Sequence, residues 1–365
     1  MFIEIINKFN LQLFAEAGTL VNATGNYVNA YDGTSQPFDG VNTMAGELKT
    51  FYDTELLENA RVEMFYAQFA KKQPLPANRG TTVEWRKWNT FNKASQLQEG
   101  VIPTGQKFGM SSKTGSIGQY GTYTTIADTL ELRAYDDTIL GATEEMGASA
   151  AETQETLIRD ALLTNTNVLY CDNITIEDEK KSGATPTMPS EMEASETVMS
   201  ILTPKMVSKA ATKMKKDKVP TINGRYYAVI SPSVAEDLRN SKGWIEAHKY
   251  ADTEEIFNGE IGELHKVRFI ENVFAPILGG EDYNNKAGGK TYATYFFGKD
   301  GFGIIDPEGG ALQMIVKSKE QAGGPLNQFS TVGYKFETNG ATMLYTERVL
   351  RVMSCSSYSA IDEEN

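Results

Sequence analysis

One stretch constrains the fold of this chain more than any other, the ninety residues from Thr81 to Tyr170. It opens with a strand-like run, Thr81 to Trp88. A long polar excursion follows, studded with Gly100, Gly105, Gly109, Gly115 and Gly118. A second run, Tyr120 to Ile126, is rich in Thr, Tyr and Ile, which suit a pleated surface. The expected arrangement is an antiparallel arm in which these two runs pair. Val83 and Trp85 then share one face of the first strand, and Glu84, Arg86 and Trp88 share the other. Two strands alone are marginally stable in water, so such an arm must lie on its own body or on a neighbouring subunit.

The same stretch then enters one long helical pattern, from about Asp136 to Asn167. Ile139, Met146, Ala150, Leu157 and Ala161 keep one face apolar, and Leu140, Ile158 and Leu162 widen the stripe. Glu144, Glu145, Glu152, Glu155, Arg159 and Asp160 fall on the polar side, with Glu155 and Arg159 at the favourable i, i+4 spacing. Asp136 and Asp137 suit the positive end of the helix dipole. About thirty residues at ~1.5 Å each predict a rod of roughly 45 Å.

The remaining chain reads as material around this arm and rod. Residues 1–45 are rich in Asn, Thr, Gly, Asp and Ser and lack a sustained period. Composition leaves open an arm that orders on a neighbour and a loose terminus. Leu48, Phe51, Tyr52, Leu56, Ala60, Met64 and Phe65 predict a helix over 47–70, stopped by Pro74 and Pro76. Tyr170 to Ser200 is a turn-rich polar connection. Thr203-Pro204 opens another helix, with Thr203 as its cap. Lys213, Lys215, Lys216 and Lys218 crowd its end, where cations complement the dipole; a nucleic-acid patch would want aromatic partners, which this run lacks. Strands are predicted at Tyr226–Ile230, Val267–Ile270, Thr291–Phe297 and Phe302–Ile305, with a helix after Ser231-Pro232. Two further β-type runs between Phe329 and Val352 flank the turn pair Asn339-Gly340 and are expected to return onto the long helix.

Composition narrows the function classes. The 365 residues suggest about two domains, and 40% apolar residues are enough for a real core. A net charge of −13 makes the chain a poor candidate for gripping nucleic acid and suits a surface that sits near a polyanion without adhering. Cys171 and Cys355 are too few for a disulfide framework and read as buried thiols. No apolar run reaches the ~18 residues of a membrane span, and the polar residues of the amino-terminal stretch argue against an export signal. His248 and His265 have no Cys or His at ligand spacing. The glycine runs match neither a dinucleotide fingerprint nor a phosphate loop. Adjacent carboxylates Glu144 and Glu145 point in different directions on a helix. No nucleophile-and-base arrangement emerges, so no enzyme activity, cofactor or metal is expected.

Several short runs, taken in order, carry a resemblance. They are Phe65-Tyr66-Ala67-Gln68-Phe69-Ala70, Gly80-Thr81-Thr82-Val83-Glu84-Trp85-Arg86, Leu97-Gln98-Glu99-Gly100-Val101-Ile102-Pro103 and Gln119-Tyr120-Gly121-Thr122-Tyr123. Downstream stand Arg159-Asp160 with Thr166-Asn167-Val168, then Ile256-Phe257-Asn258-Gly259-Glu260-Ile261-Gly262 and Thr331-Val332-Gly333-Tyr334-Lys335. In order and type the chain resembles tailed-bacteriophage major capsid proteins of the Hong Kong 97 type, in the branch typified by coliphage N-four. Ser231-Pro232 departs from that pattern, which would place His before the Pro.

The resemblance implies an α+β fold in six segments. These are an amino-terminal arm (1–46), a helix leading into the hairpin (47–80), an extended hairpin loop (81–127), a peripheral domain with the spine helix (128–220), an axial domain (221–325), and returning peripheral strands with the tail (326–365). It implies a structural subunit that self-assembles as homo-pentamers and homo-hexamers into an icosahedral head, located in the virion and assembled in the host bacterial cytoplasm. Portal, scaffold and decoration proteins are implied partners, and packaged double-stranded DNA is a neighbour by proximity only. Trp85, Trp88, Gly100, Phe108, Tyr120 and Tyr123 are the expected inter-subunit contacts. The competing readings are an encapsulin-like nanocompartment shell of the same fold and an unrelated soluble binding module.

Overall fold

The computed structural model describes residues 26–28, 35–37 and 65–363, apart from 78–79, 95, 98, 101, 103–104, 135–136, 250–259, 323–325 and 359–361. The chain divides into two units, 1–60 and 61–365. In the first, strands β1 (Asn26–Val28) and β2 (Ser35–Pro37) pair antiparallel. The rest of the expected arm lies outside the described residues, as does the part over 47–64 of the helix predicted over 47–70. Residues 66–69 form a single 3-10 turn, and β3 (Lys71–Leu75) is a strand that continues through Pro74.

The second unit is built on a seven-stranded mixed sheet. Its path runs β12 (Glu260–Leu264), β13 (Val267–Glu271), β11 (Tyr226–Ile230), β15 (Thr291–Phe297), β20 (Val349–Ser354) and β7 (Val168–Tyr170), with β14 (Ile277–Leu278) also paired to β15. Every residue of β15 is buried, as expected of a strand covered on both faces. Tyr292 and Phe296 point into a core with Met206, Val207, Ala210, Val234 and Leu238. The latter five lie on α3 (Pro204–Lys216) and α4 (Pro232–Asn240). Tyr295 and Phe297 point the other way, onto Tyr66, Phe69, Ile158 and Leu162. The sheet is therefore shared among three of the segments expected from sequence, because β7 and β20 flank strands drawn from 226–297.

The long helix, here α2 (Thr138–Leu163), has 26 residues and spans about 39 Å. Asp137 caps it, accepting from the backbone N–H of Ile139 at 3.1 Å and of Leu140 at 3.2 Å. Thr203 caps α3 through Met206 N–H at 3.4 Å, with Pro204 in the first turn. Two side chains of α2 depart from expectation. Glu155 and Arg159 are buried rather than on a solvent face. Glu155 Oε1 accepts from Phe65 N (3.0 Å), Tyr66 N (3.2 Å) and Asn272 Nδ2 (2.9 Å), so distant donors replace the water that a surface carboxylate would use. Arg159 pairs with Asp160 at 2.9 Å. At the other end, Leu140 is 58% exposed, so the apolar stripe is used only from about Met146 onward.

The strand pairing of the arm also differs. The first run, β4 (Thr82–Trp88), pairs with β5 (Met110–Ser116) and not with 120–126. The second run forms β6 (Gly118–Ala127), which pairs over ten positions with β18 (Phe329–Thr338). That ladder of ten pairs is longer than the seven-pair hairpin, and Gly115 is a strand position opposite Val83 where a side chain would collide with the Trp85 ring at 2.9 Å. Strand β17 (Gln313–Lys317) completes the three-stranded sheet β17-β18-β6. Tyr334 and Phe336 lay it on Ala150, Met146 and Leu157 of α2, the return expected from sequence. Asn339-Gly340 is not a hairpin turn, because β18 and β20 enter different sheets. Asn339 instead binds Ile305 N–H through Oδ1 at 2.8 Å, and Gly340 sits 3.0 Å, measured to an added Cβ, from Leu157 O.

Candidate assembly surface

The β4–β5 hairpin has two unlike faces. Its register, Thr82↔Ser116 through Trp88↔Met110, puts Val83, Trp85, Lys87 and Gly115 on one side. That side meets the chain's own body. The Trp85 ring lies where a side chain on Gly303 would stand, 2.9 Å away, and its buried Nε1 has no hydrogen-bond partner among the described residues. Gly303 lies in β16 (Phe302–Pro307), which pairs with β3. The ammonium of Lys87 lies 4.6 Å from the Tyr345 ring centre. The opposite side carries Glu84, Arg86, Trp88 and Met110. Glu84 and Arg86 form a surface pair at 2.9 Å, whose hydrogen bond holds the carboxyl below its usual range.

Beyond Trp88 the two chains remain tied, by Asn89 N–H to Gly109 O at 2.9 Å and Asn92 N–H to Gln106 Oε1 at 2.8 Å. On this frame Trp88 stacks on Phe108 with ring centres 4.3 Å apart, and Phe91 stacks on Phe108 at 5.3 Å. All three rings are more than half exposed. Leu97, Ile102 and Met110 add exposed aliphatic surface, Ile102 at 94%. Six large apolar side chains thus stand exposed between Trp88 and Met110, three of them in one stack, and Gly100 turns the chain among them at φ +77°. Single exposed apolar residues are ordinary, whereas a contiguous patch marks a contact surface. Burying six such groups releases on the order of 10 kcal/mol before ordering costs.

The sequence candidates fall into three places. Trp88 and Phe108 meet in the aromatic stack, and Gly100 lies at the tip beyond it. Trp85 is drawn into its own body. Tyr120 and Tyr123 belong to β6, on opposite faces. Tyr120 stacks on Phe336 at 5.8 Å, toward α2. Tyr123, 72% exposed, borders an open groove of about 590 Å³ lined by Gly121, Gly333, Ile315, Thr331 and Lys335. Tyr123 Cβ itself would lie 2.7 Å from a side chain at Gly333, so glycine there keeps the groove floor at backbone level. Phe91, Leu97, Ile102 and Met110 were missed. Their signal was available: large apolar residues scattered through an otherwise polar, glycine-rich excursion.

Among the described residues no three His, Cys, Asp or Glu gather as a metal site, and no helix is long and apolar enough to cross a membrane. His265 is an exposed turn residue, and the side chain of His248 lies outside the described residues.

Residues 111–336, more than half of the chain, match the family described as phage capsid protein. No curated protein matches. Among solved structures, the capsid asymmetric unit of cyanophage Pam1 is similar at 11% identity and a TM-score of 0.65, covering 86% of this chain and 98% of that one. The capsid of Ralstonia phage GP4 is similar at 14% identity and 0.58, covering 87% and 97%. The capsid of cyanophage P-SCSP1u is similar at 12% identity and 0.58, covering 86% and 94%. At such identities the likeness is one of fold.

Proposed function

The chain belongs to the phage capsid protein family, and on that premise we propose that it is the repeating major subunit of a tailed-phage head. Its fold is the α+β Hong Kong 97 type. Its role is structural: copies of the chain bury shared surface in a closed, symmetric shell around packaged double-stranded DNA, with no reaction of their own. The observation that carries this reading is the hairpin tip, whose Trp88, Phe91 and Phe108 are stacked on one another yet more than half exposed among the described residues. A monomer has no use for that arrangement. A neighbouring copy supplies the cover.

In this reading Trp88, Gly100 and Phe108 contact the next subunit, Tyr123 presents the groove to another, and Trp85 and Tyr120 hold the contact elements to their own body. The six sequence segments keep their proposed roles, with the hairpin proper narrowed to 82–116. Pentamers and hexamers, the N-four-type branch, a virion location after assembly in the host cytoplasm, and portal, scaffold and decoration partners belong to the same proposal. The nanocompartment reading is set aside, because the matching family is that of phage capsid proteins. Sedimentation and negative-stain microscopy of the purified full chain test the reading. Closed particles are expected; a chain that stays a 40.2 kDa monomer up to its solubility limit overturns it.

A further inference from the structure

One end of the seven-stranded sheet gathers a surface whose charge opposes that of the whole chain. Four connections meet there, because β11, β13, β15 and β20 all begin or end at that edge. Backbone bonds lock them together. Lys299 N–H donates to Pro220 O at 3.0 Å, Tyr226 N–H to Lys266 O at 2.9 Å, and Gly298 N–H to Arg348 O at 2.8 Å. Arg348 Nη1 donates to Lys299 O at 3.0 Å, fixing that guanidinium beside the Lys299 turn. The last turn of α3 arrives at the same place, with Val219 N–H on Met214 O and Lys218 N–H on Lys215 O.

The result is a cluster of Lys215, Lys216, Lys218, Lys266, Lys299 and Arg348 against Asp217, Asp300 and Glu347, within a chain of net charge −13. All but Arg348 among these cations are exposed, and Arg348 is half-buried. The α3 dipole accounts for Lys215, Lys216 and Lys218. Lys266 and Lys299 lie on turns between strands, where no α-helix dipole recruits them, and Arg348 ends a three-residue 3-10 turn. The aromatic partner missing from the linear sequence is also present. The Arg348 guanidinium lies 3.7 Å from the Tyr345 ring centre, with Lys87 on the same ring at 4.6 Å. Lys218, His265, Lys266 and Asp300 adopt left-handed backbone, so this edge is made of tight turns that hold the cations on short, fixed loops.

We propose that this sheet edge binds the phosphate backbone of double-stranded nucleic acid, without reading sequence. The proposal rests on the shell reading and adds to it that this edge faces the packaged genome. The acidic remainder of the chain then keeps the wall from adhering generally, and contact is confined to one patch per subunit. A backbone contact of this type is salt-dependent, because each neutralised phosphate releases counterions.

The test is fluorescence anisotropy of a labelled duplex with the full-length unassembled subunit, titrated between about 50 and 200 mM salt. The triple variant Lys215→Gln, Lys218→Gln, Lys299→Gln is compared with a control triple of equal charge, Lys180→Gln, Lys286→Gln, Lys319→Gln. The parent is expected to bind two unrelated duplexes equally. The test triple should reduce the salt slope by about three and weaken binding at least about tenfold, with the control near the parent. Equal losses in both triples, or no duplex binding by the parent at about 50 mM salt, overturn the proposal. Sedimentation without nucleic acid separates it from the shell reading. A test triple that loses assembly there, while its duplex binding matches the parent, would make this edge a contact between copies and overturn the proposal alone.

Discussion

Two aromatic clusters in this chain use the same chemistry and reach opposite ends. In the core, Phe69 stacks on Phe297 at 5.1 Å, and Tyr66 meets Phe297 edge-on at 6.1 Å. Sheet, long helix and 3-10 turn bury those rings. At the hairpin tip, Phe108 lies between Trp88 and Phe91 at similar spacing, with water on the open side. The core cluster is satisfied by residues from across the chain. The tip cluster is stacked but exposed among the described residues, and in the proposed shell a neighbouring copy would supply its cover. Side-chain type does not distinguish an interior from an interface; the presence of a covering element does.

The sharpest way to break this contrast is to excise the tip. Replacing residues 91–108 by a two-residue Asn-Gly turn keeps both strands and the Trp85 anchor in its glycine slot. The subunit should remain folded, with a Tm within a few degrees of the parent, while particle formation is abolished. Normal particles from that deletion would show that the tip is not a subunit contact. A deletion running on to Gly115 would be a poorer test, since it removes the partner strand of β4.

Single rings sharpen the comparison further. Phe297→Ala should cost the isolated subunit about 3–5 kcal/mol in urea unfolding, because a fully buried ring leaves a cavity. Phe108→Ala should cost the subunit under about 1 kcal/mol, as expected of an exposed site. Its effect should appear instead as a higher protein concentration needed for assembly. Similar unfolding losses for both variants would erase the distinction.

The sequence made the alternation in β4 legible, including the split between Trp85 and Trp88. It did not reveal which face meets the body. That depends on Gly303, more than two hundred residues away, whose missing side chain opens the slot for Trp85. The same limit applies to β6: its composition announced a strand, but local pattern cannot choose between Thr82–Trp88 and Phe329–Thr338 as partner. Glu155 was assigned to solvent because helical periodicity treats a charge as outward-facing. Its donors come from Phe65, Tyr66 and Asn272, which only the folded chain brings together. The basic edge was half visible in Lys213 to Lys218, while Lys266, Lys299 and Arg348 arrive through sheet topology. Helix caps were read directly, since Asp137 and Thr203 act within three residues of themselves.

Glu155 gives the core side of the comparison a pH signature. Burial raises its carboxyl above the usual 4.5, and the backbone donors of Phe65 and Tyr66 with Asn272 pull only partly back. The folded chain therefore holds this proton to higher pH than the unfolded chain does. The resulting stability is complete below the unfolded value and is lost as pH rises through the folded one. Relative to Glu155→Gln, which cannot titrate, the parent should lose Tm as pH climbs from about 4.5 toward neutrality. A constant difference between parent and variant across that range would refute the assignment. The tip, by contrast, has no buried carboxylate and should contribute no such dependence.

The smallest expected effect concerns the two thiols, both sealed on the core side. Cys171 is fully buried beneath the α3 face, and Cys355 lies with Met192, Leu278 and Met353. Burial pushes Cys355 up to about 12, opposed only partly by its hydrogen bond from Asn285, and raises Cys171 well above its ordinary value. Thiolate is the reactive form, so at pH 8 neither residue should react with a colourless disulfide reagent in the native subunit. Both should react within the dead time of mixing in strong denaturant. Because neither thiol approaches the tip, assembled and unassembled protein should show the same protection. Protection that appears only on assembly would place a cysteine at a subunit contact and blur the line between the enclosed cluster and the open one.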